Sequence, residues 1–322
     1  FIGTIFNMLG FGLNHSIRSD GNPKIAMFSM LIGAGVNIIL DPIFIFGLGL
    51  GVQGAAIATV ISQIASTIWV LYYFTKGKGS IKINRNNIKL SKAVIISIFS
   101  IGMSPFAMQI AQSIVQVLAN NALKTYGGDL AIGAMTIISS ISMIFMMPLF
   151  GLNQGAQPII GYNYGAKKYH RVKKAVNIPV IIATVIVSVG WILIQFAPEL
   201  LIRVFSSDNS ILEMAKTGLR VFLFMLPVLG FQTISSNYFQ SIGQAKVSMF
   251  LSLLRQVILL IPCLMILPNV GGLGLMGVWL AGPVADGLAS IITGIVFFRS
   301  VRKLKDESLE VDSISSTKPL KA

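Results

Sequence analysis

The sequence predicts an all-α membrane protein, and three features of its 322 residues lead to this class. Hydrophobic residues make up 54% of the chain and charged residues only 11%, far from the composition of water-soluble domains. Runs that are long enough to cross a bilayer as a helix, about 20 residues, recur along the whole chain. Polar residues within these runs are too scarce to give most of them the polar face of a soluble helix.

Nine such runs are candidate membrane spans, and together they predict a polytopic helix bundle. Asp41, Arg255 and Asp286 are the only charged residues within them. The runs occupy residues 1-17, 25-46, 52-75, 93-123, 130-152, 176-197, 221-241, 247-268 and 275-298.

Lys and Arg residues distinguish the two sides of the predicted membrane. When alternate loops are assigned to opposite sides, 20 of the 25 basic residues fall on one side and four on the other, while Arg255 lies within a span. Basic loops stay cytoplasmic, so we expect the C-terminus and the loops at 76-92 and 153-175 in the cytoplasm. Because the net charge of +14 is confined to loops in this way, we expect no nucleic-acid binding.

Cysteine and histidine are too rare for redox or metal chemistry. Cys263 is the only cysteine in the sequence, and His15 and His170 are the only histidines. No nucleophile and base pair indicates an enzyme, so we expect neither catalysis nor a cofactor. The segment Gly49-Leu-Gly-Val-Gln-Gly54 matches the dinucleotide-binding fingerprint but lacks the strand that this motif needs, and we interpret its glycines as an outer turn.

An internal repeat predicts two lobes of the same topology. The pairs Gly21 and Gly243, Lys24 and Lys246, Met27 and Met249, and Phe28 and Phe250 match at an offset of 222 residues, and the pairs Gly51 and Gly274, Gly54 and Gly277, and Ala58 and Ala281 match one residue later. The same offset places the partner of the 93-123 span well before Phe1. We therefore expect three further spans upstream, an N-terminally truncated chain, and twelve helices in two pseudo-symmetric six-helix lobes.

This repeat defines the expected domains. Residues 1-75 are predicted to be the last three helices of the N-terminal lobe and 76-92 a cytoplasmic linker between the lobes. Residues 93-300 are predicted to form the complete six-helix C-terminal lobe, and 301-322 a cytoplasmic tail.

A polar stripe follows one face of the 93-123 span. Gln109, Gln112, Gln116 and Asn120 recur at spacings of three, four and four residues, which brings them to one side of a helix. Two interpretations stay open: hydrogen bonds to a neighbouring helix, or the wall of a water-accessible substrate cavity. Pro105, just before the stripe, favours the cavity because proline permits a bend that transporters use.

The last span carries a carboxylate, Asp286, near its middle, where a lone charge is costly. Arg255 in the preceding span lies at a compatible depth, about 13 Å in from Lys246 at ~1.5 Å per residue, and is the expected partner. The pair is interpreted either as a structural link between the last two spans or as a cation-coupling site. By contrast, we interpret Asn37 and Asp41 as an outer helix end.

Other side chains in the spans suit a cavity of broad specificity. Met143 lies in a span that is rich in Met and Phe, and Gln232 and Asn237 add amides to the 221-241 span. Thioethers adapt to varied apolar cations, while amides orient them. We therefore add these three residues to the stripe as candidate substrate-binding residues.

Three segments carry a resemblance to a known family: Asn37-Ile-Ile-Leu-Asp-Pro-Ile-Phe-Ile-Phe-Gly47, Gly51-Val-Gln-Gly-Ala-Ala-Ile-Ala-Thr59 and Pro148-Leu-Phe-Gly-Leu-Asn-Gln-Gly-Ala-Gln-Pro-Ile-Ile-Gly-Tyr-Asn-Tyr-Gly-Ala166. The chain resembles the multidrug and toxic compound extrusion (MATE) family, in its MepA-like branch. This resemblance implies multidrug efflux and antibiotic resistance by antiport against H+ or Na+, with organic cations as substrates. Many members carry a carboxylate in the helix that holds the stripe, whereas this chain has Gln, Ser and Asn there.

The expected protein is a monomeric multi-pass transporter of the plasma (inner) membrane that works by alternating access. Two alternatives stay open. A lipid or glycolipid flippase of related architecture needs a wide basic cavity, whereas the candidate residues here are amides. A non-transporting membrane scaffold has no need for a buried Asp286 or for bending prolines.

Overall fold

The structure, a computed structural model, describes residues 2–76, 79, 81–82 and 91–304. All regular elements of this part of the chain are helical, and it contains no strand, which confirms the all-α prediction. Most of the predicted linker at 76-92 and nearly all of the predicted tail lie outside the described residues.

Contacts divide the chain into two compact units, Phe1–Lys92 and Ala93–Ala322. The first contains α1 (Ile2–Ser19), α2 (Pro23–Pro42) with a π-helical extension (Ile43–Gly47), and α3 (Gly51–Lys76). The second contains α4 (Lys92–Gly165), α5 (Tyr169–Phe196), α6 (Pro198–Ile202), α7 (Asn209–Phe222), α8 (Leu226–Ser241), α9 (Ala245–Leu253), a π-helical segment (Leu254–Leu260), α10 (Ile261–Ile266) with a short 3-10 turn (Leu267–Asn269), and α11 (Leu275–Arg302). The assignment of these units to two lobes of a larger bundle stays a prediction.

Six helices of the described part are long and apolar enough to cross a membrane, and a seventh span results if α7 and α8 form one bent span. One of the six, Phe106–Gly165, has 60 residues. A straight helix of that length measures about 90 Å, far more than the ~30 Å of a hydrocarbon core. Gly128 interrupts α4 with φ 67° and ψ −162°, so two helices meet there. The total of nine spans remains a prediction.

The predicted span at 221-241 begins differently from the expectation. α8 starts only at Leu226, and α7 precedes it at a bend of 51°. Pro227 lies in the first turn of α8. Proline is favourable in the first turn of a helix. A helix that continues through proline from upstream is kinked or broken, because proline lacks an N–H group and its ring clashes with the preceding turn. Hydropathy alone did not reveal this break.

Buried side chains hold the first unit together. Ile17, Val70 and Phe74 are at most 1% exposed and pack between α1 and α3. The Asn14 amide donates to the Ala26 carbonyl oxygen at 2.7 Å and to Ser29 Oγ at 2.6 Å, and so joins α1 to α2. A buried amide in a membrane helix needs such partners, because hydrocarbon offers none.

The glycines of the internal repeat make the same contact in both units. A Cβ atom on Gly54 would lie 2.6 Å from the Phe44 carbonyl oxygen, and a Cβ atom on Gly277 would lie 2.6 Å from the Leu267 carbonyl oxygen. Gly277 lies 223 residues after Gly54, and Leu267 lies 223 residues after Phe44, which is the repeat offset of 222 plus the one-residue slip. At each place a helix crosses the backbone of the preceding segment too closely for any side chain, which explains why the sequence has glycine there.

Candidate functional site

The second unit buries an ion pair between two of its helical segments. Asp286 lies on α11 with its side chain 6% exposed, and Arg255 lies in the π-helical segment with its side chain 29% exposed. The Arg255 guanidinium donates through Nε to Asp286 Oδ1 at 2.5 Å. The compatible depths of the two residues along their helices predicted this contact, and it is present in the structure. The role of the pair stays a prediction.

The backbone around Arg255 departs from the α-helix. Residues Leu254–Leu260 have π-helical hydrogen bonding, between α9 and α10. A π-helical stretch accommodates an extra residue in a helix and frequently occurs at functional sites. The sequence offers a matching sign, since the repeat slips by one residue between the copies of Phe28 and Gly51. The irregular segment therefore sets the position from which Arg255 reaches α11.

A row of polar residues continues from Asp286 along α11. Ser290 and Thr293 follow at spacings of four and three residues, and both are at most 5% exposed. From α8, Gln232 and Ser235 are likewise at most 5% exposed. Ser290 Oγ donates to Gln232 Oε1 at 3.4 Å. Gln232 was among the site residues predicted from the sequence, whereas Ser235, Ser290 and Thr293 were not selected, although the helical spacing of Ser290 and Thr293 from Asp286 was a usable signal.

The two other candidate substrate-binding residues outside the stripe, Asn237 and Met143, lie apart from Gln232. Asn237 Nδ2 donates to the Asn153 carbonyl oxygen of α4 at 3.4 Å, so this amide faces a different helix from Gln232. Met143 is 57% exposed on α4. The structure therefore does not gather Met143, Gln232 and Asn237 into one local cluster within the second unit.

The polar stripe forms an exposed face of α4. Gln109, Gln112, Gln116 and Asn120 are all exposed, whereas Ala111 and Val115 on the same helix are buried. Gln116 Nε2 donates to Asn120 Oδ1 at 3.2 Å. Ser113 Oγ donates to the Gln109 backbone carbonyl oxygen at 3.0 Å, and within the described part of the chain the four amide side chains make no further hydrogen bond. Among the described residues the stripe thus forms no hydrogen bond to another helix of the second unit, and its role as a cavity wall stays a prediction.

The first unit has a polar pocket of its own, with a volume of about 140 Å³. The pocket was not predicted from the sequence. Its polar lining comes from Asn7, Asn14, Ser29, Gln63, Ser66 and Thr67. On α2, Asn37 Nδ2 donates to Asp41 Oδ1 at 3.1 Å, next to Pro42 and the π-helical extension. This position at an irregular helix end agrees with the interpretation from the sequence.

Charges outside the spans form ordinary local pairs. The Lys216 ammonium lies 2.6 Å from the Glu199 carboxylate and lowers the pKa of Glu199 below its usual value. Asp208 caps α7 by accepting from the Ser210 backbone N–H at 2.9 Å, and hydrogen bonds to Ser210 lower the pKa of Asp208. Among the described residues, no group of three or more His, Cys, Asp or Glu side chains is arranged to hold a metal ion.

Comparisons with known proteins agree with this fold. The model of the MatE family matches residues 105–265. The multidrug export protein MepA of Staphylococcus haemolyticus is 31% identical over 273 residues, which cover 85% of this chain and 60% of that protein. The chain thus spans less than two thirds of the length of this relative.

Two solved structures superpose closely on the chain. An outward-facing multidrug resistance MATE family transporter of the MOP superfamily has a TM-score of 0.87 at 26% identity, over 94% of this chain and 68% of that chain. A MOP superfamily transporter from Pyrococcus furiosus, for which a binding pocket of reverse polarity suggests a different function, has the same TM-score at 25% identity and the same coverage. The family match covers half of the residues of this multi-pass helical membrane protein, and the chain therefore belongs to the MatE family.

Proposed function

We propose that the protein exports amphipathic organic cations by alternating access, in exchange for protons or sodium ions. The observation that carries this proposal is the Asp286 carboxylate, which is 6% exposed within a membrane-spanning helix and has one ionic partner. A carboxylate in such a place is costly, and in membrane helices it typically marks an ion pathway or a relay. The name of the MepA relative supplies the class of cargo, multidrug export. No covalent chemistry is needed.

The proposed membrane arrangement follows from the loop charges. We place the protein in the plasma membrane as a monomer, with the C-terminus in the cytoplasm, because loops rich in Lys and Arg stay on that side. Substrates are proposed to contact the exposed amide stripe on α4, together with the exposed Met143.

The stripe gives a direct test of the substrate contacts. We expect Gln112→Leu to weaken the binding of a fluorescent organic cation about fivefold, because the loss of one hydrogen bond costs about 1 kcal/mol. Fluorescence anisotropy on the purified protein measures this change. Gln240→Leu is the matched control, since Gln240 is an exposed amide on α8 outside the stripe. Equal binding by the two variants would contradict a substrate contact at the stripe.

The proposed function itself is tested by dye export from cells that lack their own pumps. The full-length protein should lower dye accumulation, and an imposed proton or sodium gradient should accelerate export from proteoliposomes. Which gradient acts identifies the coupling ion. Scrambling of labelled lipid without dye export would support a flippase instead, and the absence of both activities would support a scaffold.

A further inference from the structure

The faces of α8 and α11 that meet inside the second unit carry five buried polar side chains, which we call the polar seam. None of these residues is more than 5% exposed. The seam consists of Gln232, Ser235, Asp286, Ser290 and Thr293.

The two helices of the seam run in the same direction. Ser290 contacts Gln232 at 3.4 Å, and further along both helices the Tyr238 hydroxyl lies 3.2 Å from Ser300 Oγ. Ser235 and Thr293 each lie three residues beyond the first contact, about 4.5 Å along the axis at ~1.5 Å per residue. They therefore lie at the same level, between the Gln232 contact and the Tyr238 contact.

The hydroxyls of Ser235 and Thr293 have no hydrogen-bond partner within the described protein, although both residues are 0% exposed. Other hydroxyls of the second unit bond to the carbonyl oxygen four residues earlier, as Thr184 on α5 and Ser241 on α8 do at 2.8 Å. An unsatisfied buried hydroxyl costs about 1–3 kcal/mol. Two such groups at one level, next to further hydroxyl and amide oxygens, are the surroundings that hold buried water molecules.

The seam reaches Asp286 at one end. Ser290 lies one helical turn from Asp286, on the same face of α11. Arg255 contacts Asp286 from the π-helical segment, and α8 contributes the uncharged Gln232. From α7 and the turn that follows it, Phe222 and Met225 pack near the neighbouring Gly282 and Gly287 with apolar atoms. Within the described residues, Arg255 is thus the charged group in contact with Asp286.

We propose that the polar seam holds internal water molecules and relays protons to and from Asp286. This inference rests on the proposed function, in its proton-coupled form. Each hydroxyl or water accepts one proton and releases another, so the relay groups are chemically unchanged after a proton has passed. The proton that arrives neutralises the Asp286 carboxylate, while Arg255 keeps its charge.

The test removes the two unpartnered hydroxyls with nearly isosteric changes. Ser235→Ala with Thr293→Val should slow substrate-induced proton exchange about tenfold, since each lost relay group raises the barrier. A pH-sensitive dye follows this exchange in proteoliposomes by stopped flow. Substrate affinity at equilibrium should not change. Ser241→Ala with Thr184→Val is the matched control and should exchange protons at the wild-type rate, and Ser235→Ala alone serves if the double variant does not fold.

The outcomes separate this inference from the proposed function. If Asp286→Asn abolishes proton exchange and the seam variant exchanges as fast as the control, the seam is not the route, although coupling at Asp286 stands. If Asp286→Asn leaves proton exchange intact, both the coupling site and the seam are wrong. A seam variant that is slow while its control is fast supports the route. Export driven by sodium alone overturns the seam as a proton path.

Discussion

Asp286→Asn is expected to reduce gradient-driven export to background while the protein still reaches the membrane. Asparagine has nearly the same shape as aspartate and still accepts a hydrogen bond from Arg255. It does not take up a proton, however, and it lacks the negative charge that attracts a sodium ion. The substitution therefore removes coupling and leaves the packing of α11 in place. Dye export from cells, normalised to the amount of protein in the membrane fraction, measures the loss.

Asp129→Asn is the matched control for this prediction. Asp129 is an exposed carboxylate beside the break in α4, and its replacement removes the same charge without touching a span interior. We expect the control to export at the wild-type rate. If Asp286→Asn also exports at that rate, Asp286 has a structural role only, and the ion pair serves to join α11 to the π-helical segment.

Arg255→Met is expected to have the largest effect on stability. It leaves the Asp286 carboxylate, 4% exposed as a residue, without its ionic partner. Breaking a buried pair from one side costs about 3–5 kcal/mol, and we expect the lower end because the Arg255 side chain keeps 29% of its exposure. Thermal unfolding in detergent, followed by tryptophan fluorescence, measures the difference.

The double variant Arg255→Met with Asp286→Leu decides whether the loss comes from an unpaired charge. Removing both charges together is often neutral or stabilising, so we expect the double variant to unfold near the wild-type temperature. Arg255→Lys should recover part of the loss, because lysine keeps the positive charge but lacks the Nε donor that contacts Asp286. Additive destabilisation in the double variant would show that Arg255 stabilises the fold by packing alone.

Much of the fold was predictable because a bilayer imposes simple demands on sequence. Each candidate run coincides largely with helix in the described residues, since hydrocarbon forces the backbone to satisfy its own hydrogen bonds. The start of α8 was not predictable from hydropathy, which does not register that Pro227 begins a new helix. The break in α4 was predictable, because Gly128 lies between the candidate runs 93-123 and 130-152.

The candidate site was predictable in part. Asp286 and Arg255 stood out because charges are rare in membrane spans, and depth along each helix was enough to pair them. Ser235, Ser290 and Thr293 were not selected as site residues because hydroxyls are tolerated anywhere in membrane helices when they bond back to their own backbone. Only the packing of α8 against α11 showed that two of them do not.

By itself the sequence determined the helical membrane class, the repeat, the polar stripe and the buried pair, because each depends on composition or on spacing within one helix. Tertiary structure alone decided which polar residues share an interface and which remain without partners. Hydrogen-bond satisfaction depends on neighbours that are distant in sequence, such as Gln232 and Ser290, which are 58 residues apart. The polar seam is therefore visible only where the two helices meet.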